Sequence, residues 1–482
     1  MTKKEMRRLS NKLLLPLALL AWVLVVVRAS RLAITQQEAF TFMHYVQASY
    51  LDILLLRDVP PLISNHLLNS LLAKLSTALF GLSTFSLRLP NALLAGLYFF
   101  YAALLAKKFT HPLSTVAAFL ILVLQPYFFD YFSLAQGYGM GLALLLAAIY
   151  HLSEYHEQGK GHHTYRTLLF AALAGWAHFS FIYAYLGLVA LLLLLAYADG
   201  FEARAWWQLI RALLLVSTGL ALASVPALRQ VYADFPGGYQ GFWVDSVDSL
   251  ILKLSYQGSA WVQLIWRLSF GLFFGLGLLA ALYDLYIKPQ QRVHSFYQIL
   301  LLWLLLILLV SSVAHYALDL PWLEGPMGLV YVPVFMGVLL FLARRLIVPN
   351  RFNWFPKIIL SILALALGVH LANRLNLRRT MDWPQDADGR RVWEKLEYEV
   401  AGGGNARVKV FASPYYRPYF HFMRRKEEAQ WLQPVQPQAL QTADYALLHP
   451  ARDTAWRQKV RDRSFVRVDS FALSGVELYR RR

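Results

Sequence analysis

LLLPLALLAWVLVVVRASRLAITQQEAFTF, residues 13–42, is the stretch that decides the fold. It opens as an apolar run behind five basic residues, Lys3, Lys4, Arg7, Arg8 and Lys12. A run of that kind enters the bilayer with its charged start held on the cytoplasmic side. Residues 35–42, TQQEAFTF, then emerge at the opposite face and set a lone carboxylate, Glu38, at the lipid edge, where it can meet a substrate carried by lipid. The run has the shape of a signal-peptide core, but no small-residue cleavage site follows and many more apolar runs do. It reads as an uncleaved first span.

The 482-residue chain is 58% hydrophobic and 15% charged, with mean hydropathy +0.43. That leaves too little polar surface for a soluble globule, and apolar runs near twenty residues recur throughout. Read against their polar breaks they give about eleven spans, approximately 12–30, 84–106, 112–127, 131–152, 166–177, 178–198, 207–228, 260–287, 295–314, 327–345 and 355–373. With the N-terminus cytoplasmic, the inner loops hold Lys107 and Lys108, Lys160 and Arg166, Arg204 and Arg211, Lys288 and Arg292, then Arg344, Arg345, Arg351 and Lys357. The outer connections at 126–130, 175–178 and 315–326 hold no Lys or Arg, as the positive-inside rule requires. An odd number of spans puts the C-terminus outside. The net charge of +18 thus follows from membrane topology and needs no nucleic acid. Without cysteine, disulfides, thiolate metal ligands, cysteine nucleophiles and iron–sulfur clusters are excluded.

Composition changes after residue 373. VKVFAS (408–413), DYALLH (444–449), SFVRVDSF (464–471) and GVELYR (475–480) have strand content, while 386–400 and 454–461 read as helices. The expected organisation is an all-α polytopic membrane bundle over 1–373 and a small extracytoplasmic α/β domain over 374–482. AGGGN, 401–405, reads as a turn.

The first outer loop, 31–83, is expected to hold two interfacial helices. One starts near Thr35 and aligns Ala39, Met43, Val46, Tyr50 and Ile53 on an apolar face, with Glu38, Thr41, Tyr45 and Asp52 beside it. The other, in NHLLNSLLAKLSTALFG (65–81), gathers Leu68, Leu71, Leu72, Leu75 and Leu79 opposite Asn65, His66, Asn69 and Lys74. Continuous helix between Glu38 and Asp52 would separate them by about 21 Å, too far for paired carboxylates.

This outer loop, NHLLNSLLAKL, SLRLPNALLAGL (86–97) and SLAQGYGMGLAL (133–144) together resemble bacterial GT-C glycosyltransferases of the protein-mannosyltransferase type. The resemblance is strongest over about the first 180 residues. It implies a polyprenyl-phosphate-linked sugar as donor and transfer to an acceptor protein, lipid or glycan at the outer face of the bacterial inner membrane. The family's loop supplies an Asp-Glu pair, whereas this chain has Gln37-Glu38. Arginine is usual where Gln136 stands, and the late outer loop reads EGPMGLVYVPVF (324–335) where relatives show Arg-Thr. Glutamine lacks the charge and the fork of arginine. The resemblance therefore leaves two outcomes: an enzyme with altered donor handling, or an inactive relative that binds lipid-linked sugar or serves in assembly. A transporter ranks third, since few ionisable residues lie within the spans.

Glu38 is the expected base for the acceptor hydroxyl. Its spacing from Thr35 equally fits a capping box, in which the carboxylate turns back to its own helix start. The candidate substrate contacts are Gln37, Asn65, His66, Asn69, Arg88, Asp130, Gln136, Tyr138 and His178. Each has a structural alternative: a local amide network for His66, headgroup snorkelling for Arg88, and a helix start for Asp130. No histidine or carboxylate cluster has metal-ligand spacing, so a divalent cofactor stays open. The loop 229–260, with Tyr232, Phe235, Tyr239, Phe242 and Trp243 among Asp234, Asp245 and Asp248, suits either sugar stacking or an interfacial aromatic belt.

Overall fold

A computed structural model of the chain describes residues 3–55, 66–234, 237–287, 295–347, 354–403, 407–435, 439–462 and 465–482. Asn65, Phe235, Lys288, Arg292 and Arg351, named above, lie outside the described residues. The first apolar run forms α1 (Lys3–Arg31), and the outer loop follows as α2 (Gln36–Thr41), a π-helical turn over Phe42–Val46, α3 (Tyr50–Leu55) and α4 (Leu67–Phe80). The bundle continues through α5 (Thr84–Ala106), α6 (Pro112–Val123), α7 (Pro126–Phe132), α8 (Gly137–Gln158), α9 (Gly161–Ala177), α10 (Ile182–Ala198) and α11 (Ala203–Asp234). A second π-helical turn, Trp243–Asp248, leads into α12 (Ser249–Leu254), followed by α13 (Ala260–Ile287), α14 (Phe296–Leu318), α15 (Tyr331–Ile347) and α16 (Trp354–Arg374).

Among the described residues eight helices are long and apolar enough to cross a bilayer, or nine if α6 and α7, bent by 58°, form one broken span. The chain is a multi-pass membrane protein. The other two spans expected from sequence coincide with α8, whose far end carries His151, Glu154, His156 and Glu157, and α9, with 17 residues. α8 is the buried centre, because its glycines admit its neighbours. A Cβ at Gly137 would lie 1.8 Å from the Ala177 carbonyl oxygen, one at Gly139 would lie 2.6 Å from that of Tyr131, and one at Gly141 would strike the Phe181 ring at 2.5 Å. Pro126 at the start of α7 lacks the N–H that would carry α6 onward, and α7 turns across the outer end of the bundle.

The outer loop differs from expectation in two ways. The helix from Thr35 does not continue to Ile53: it ends at Thr41, widens into the π turn and restarts at Tyr50. Ala39, Val46 and Ile53 are buried as expected, but Tyr50 is 46% exposed, because the break rotates its face outward. In α4 the leucine face is exposed, as an interfacial helix requires, but the polar face is buried rather than open to water. Asn69, Ser70, Ala73 and Ser76 face inward while Leu75, Leu79 and Phe80 are exposed, the arrangement of a helix whose outer surroundings are lipid.

After α16 the chain forms α17 (Gly389–Gly403), α18 (Arg417–Lys426), α19 (Thr454–Asp462) and the strands β1 (Val410–Ala412), β2 (Tyr445–Leu448), β3 (Phe465–Phe471) and β4 (Val476–Arg481). The four strands make one sheet in the order β1-β2-β4-β3, with β1 and β2 parallel and the other pairs antiparallel. All four lie where the residue content placed them, whereas α18, RPYFHFMRRK, is a helix that the pattern did not show. Its Phe420 and Phe422 are fully buried in a core that also takes in Ile34, Ala39, Phe42 and Val46 of the outer loop. The sheet domain and the first outer loop therefore share one apolar interior.

Candidate functional site

The capping box is present: Thr35 Oγ1 accepts the Glu38 N–H at 3.2 Å, and Glu38 Oε2 accepts the Thr35 N–H at 2.9 Å. The carboxylate does more than cap. Arg88, near the start of α5, donates from Nε to Oε1 and from Nη2 to Oε2, both at 2.7 Å, and the Ala135 N–H donates to Oε1 at 2.7 Å. With Thr35 Oγ1 also donating to Oε2, at 3.0 Å, both oxygens are fully occupied. Burial pushes this carboxyl up, but the charge and hydrogen bonds of Arg88, with those of Ala135 and Thr35, outweigh it and hold the group below its ordinary value. Arg88 is wholly buried and gives its remaining donors to the Ala29, Leu32 and Ala33 carbonyls, so it does not snorkel to the headgroups. The pair pins α1's end, α2, α5 and the α7–α8 turn together.

Beside this knot lie most of the other sequence candidates. Gln136 Nε2 donates to Gln37 Oε1 at 3.3 Å, leaving Gln136 Oε1 buried without a partner. Asn69 donates to the Ala135 carbonyl at 3.1 Å and accepts from Asn91 at 2.9 Å, so the LPN asparagine joins the set unannounced. Tyr138 stacks on His178 with ring centres 3.8 Å apart, and His66 lies 4.8 Å from His178. Burial lowers both imidazoles, His66 to about 4, so both are neutral near pH 7, and His66 Nε2 is buried without a partner. Asp52, by contrast, caps locally with Ser49 at 2.6 Å and takes no part.

Asp130 stands apart from Glu38 in a second knot. Arg28, at the end of α1, donates to its Oδ1 at 2.5 Å, and Oδ2 accepts from Tyr256 at 2.8 Å and from the Met381 N–H at 2.9 Å. Arg28 also donates to the carbonyls of Asn376 and Arg379. One turn along α7, Tyr127 and Tyr131 donate to Oδ2 of Asp382 at 2.7 and 2.9 Å, while Lys253 of α12 pairs with its Oδ1. The ring of Tyr131 lies 4.7 Å from that of Tyr138, which joins this group to the histidine stack. Arg28, Lys253, Asp382 and the two tyrosines escaped the reading of the sequence. YFFDYF at 127–132 was the available signal: two tyrosines four apart share a helix face.

Comparison with known proteins bears on this geometry. Residues 59–228 match the family model described as dolichyl-phosphate-mannose-protein mannosyltransferase. Two solved structures of ArnT from Cupriavidus metallidurans superpose over 97% of both chains. The form bound to undecaprenyl phosphate gives TM-score 0.50 at 13% identity, and the apo form gives 0.53 at 12% identity. A comparison with curated protein sequences found no match. The chain has the fold of these ArnT structures.

The helical bundle also holds two apolar hollows beside α12. One, of about 200 Å³, is walled by Phe242, Trp243, Leu250, Ile251, Phe270 and Phe274 among others. The other, of about 60 Å³, lies across Phe270 and Phe335 and includes Leu254. Lys253 lies on the same short helix as Leu250, Ile251 and Leu254 of their walls and lines neither hollow itself. Among the described residues no group of three or more His, Asp or Glu converges to hold a metal. Chemically, the site offers a partly exposed lysine paired with Asp382, two buried arginines already paired, an aromatic and imidazole wall, and several carboxylates in different states of engagement.

Proposed function

We propose that this protein transfers a sugar from a polyprenyl phosphate to an extracytoplasmic acceptor, with its N-terminus in the cytoplasm and its sheet domain outside. The observation that carries this reading is the pair of apolar hollows lined in part by Leu250, Ile251 and Leu254 of α12, walls suited to isoprene units, on the same short helix as Lys253, a partly exposed cation suited to phosphate. The ArnT structure bound to undecaprenyl phosphate supports it at the level of fold. Glu38 and Arg88 serve here as a structural clasp, and Gln37, Asn69, Gln136, Tyr138, His66 and His178 form the wall against which the sugar rests. Asp130 orders Arg28 and the chain after α16.

The test is reconstitution of the full chain in vesicles with undecaprenyl phosphate and a panel of undecaprenyl-phosphate-linked sugars. Saturable binding together with transfer to an added acceptor supports the enzyme. Binding without transfer from any donor would make the protein an inactive relative, and absence of binding would remove the lipid-phosphate reading altogether.

A further inference from the structure

A glycosyl transfer from a lipid phosphate needs a proton acceptor for the attacking hydroxyl and a positive charge for the departing phosphate. The usual loop acid is absent, since position 37 is glutamine. Glu38 has every lone pair engaged by fixed donors. Asp130 is 2% exposed and held by a buried arginine, a tyrosine and a backbone amide. Asp386 is turned to the Gln36 N–H and Tyr415 on the far side of α2.

Asp382 is different in three respects. Its side chain is 11% exposed and that of its partner Lys253 is 24% exposed, so this pair reaches the surface where those of Glu38 and Asp130 do not. Its two oxygens are engaged unequally: Tyr127 and Tyr131 fix Oδ2, while Oδ1 meets Lys253, a cation on a flexible stem. It also faces the wall of candidate sugar contacts, through Tyr131 and Tyr138 to His178.

Resting on the function proposed above, we propose that Asp382, carried on the tether after α16, is the base of the reaction and that Lys253 is the switch that frees it. In the resting protein Lys253 neutralises Asp382. When the donor's phosphate arrives, the ammonium turns to it and Oδ1 is released. The acceptor oxygen then bonds to the anomeric carbon as its proton passes to Oδ1. The bond from that carbon to the phosphate oxygen breaks, its electron pair leaves with polyprenyl phosphate, and Lys253 meets the charge that forms. Tyr127 and Tyr131 are positioning residues that aim the carboxylate.

The swap has a signature that a merely structural ion pair lacks, because Asp382 and the phosphate compete for one cation. In full-length protein in vesicles, Asp382→Asn is expected to bind undecaprenyl phosphate several-fold more tightly than wild type, yet to transfer sugar about 10² to 10⁴-fold more slowly. The groups facing Asp382 are Lys253, Tyr127 and Tyr131, with Tyr138, Tyr256 and the Asp130–Arg28 pair beyond them, and all remain in this variant. Lys253→Met is expected to weaken undecaprenyl phosphate binding at least tenfold, and it tests the switch even if the Asp382 variant fails to fold. Transfer by Asp382→Asn within threefold of wild type, or wild-type binding by Lys253→Met, overturns the assignment while leaving the proposed function standing. A wild type that binds undecaprenyl phosphate but transfers nothing overturns both.

Discussion

Glu38 accepts hydrogen bonds from five donors while 2% exposed, and that density of donors is a physical argument about its role. Breaking a buried ion pair from one side leaves the other charge stranded, so we expect Glu38→Gln to destabilise the protein by about 3–5 kcal/mol. Thermal unfolding in detergent measures this, and a full loss of transfer with an unchanged midpoint would instead restore Glu38 as the base. Gln37→Ala, which gives up only a 3.3 Å contact, is expected to leave the midpoint within about 0.5 kcal/mol of wild type. The pH dependence has a definite sign. The folded carboxyl is lowered from 4.5, so its contribution is complete above that value and is lost as pH falls through the folded one. Acid destabilisation from this residue is therefore confined below about pH 4.5. The cap was legible because Thr35 and Glu38 are three residues apart, a spacing that fixes its own geometry. Arg88 is 50 residues further on, and nothing local pairs it with Glu38.

α8 is held by glycines where it meets α7, α9 and the chain after α9, and Gly137 is the tightest of them. The atom that an added methyl would strike is a backbone oxygen at 1.8 Å, which cannot rotate away, so Gly137→Ala must push α8 from α9. We expect a loss of about 1–3 kcal/mol or more, against no loss for Gly271→Ala in α13, where the space is open and alanine favours the helix. Paired melting curves decide between them. The short helix after Trp383 supplies a second test. Burial raises the Asp386 carboxyl to about 7, against the lowering effect of the Gln36 N–H and Tyr415, and the charge of Glu38 acts with burial. The folded state then binds a proton that the unfolded state, near 3.8, has released, so stability falls as pH rises from about 4 to about 7 and is level above. The span of that fall is at most about 4 kcal/mol, and Asp386→Asn should flatten it. At this scale the sequence spoke well where pattern is local. The connection at 126–130 marked a break between spans, and residue content marked the strands. It fell short on α4, where an interfacial helix was expected with its polar face open, because the small polar residues pack inward while the leucines face out.

The whole molecule is two bodies of different composition joined by a tether that is itself a structural element. Arg28 and Asp130 bind the tether's backbone at Asn376, Arg379 and Met381, Lys253 and two tyrosines bind its Asp382, and Gln36 binds Asp386 at its end. Beyond it, Phe422 meets Phe42 edge to face at 5.3 Å and His421 reaches Gln47 at 3.2 Å, so α18 covers the outer loop from above. The composition shift near residue 373 announced a second body, but its docking depends on α18, a helix that the residue pattern did not show. Two consequences follow for a chain ending after α16. The apolar side of α2 and the π turn, Ile34, Ala39, Phe42 and Val46, loses its cover, and Arg28 and Asp130 lose three backbone partners in a buried place. Since each uncovered aromatic and each orphaned buried group costs on the order of 1–5 kcal/mol, the truncated chain should melt lower than any single substitution proposed here. Its weakest part should be the outer loop, because the spans keep their lipid-facing packing and the loop does not. Limited proteolysis should therefore cut the truncated protein first within residues 32–55 while the intact protein resists there. Equal resistance of the two would mean that the loop holds its shape without the sheet domain, and that Glu38 and Arg88 suffice to organise the outer face.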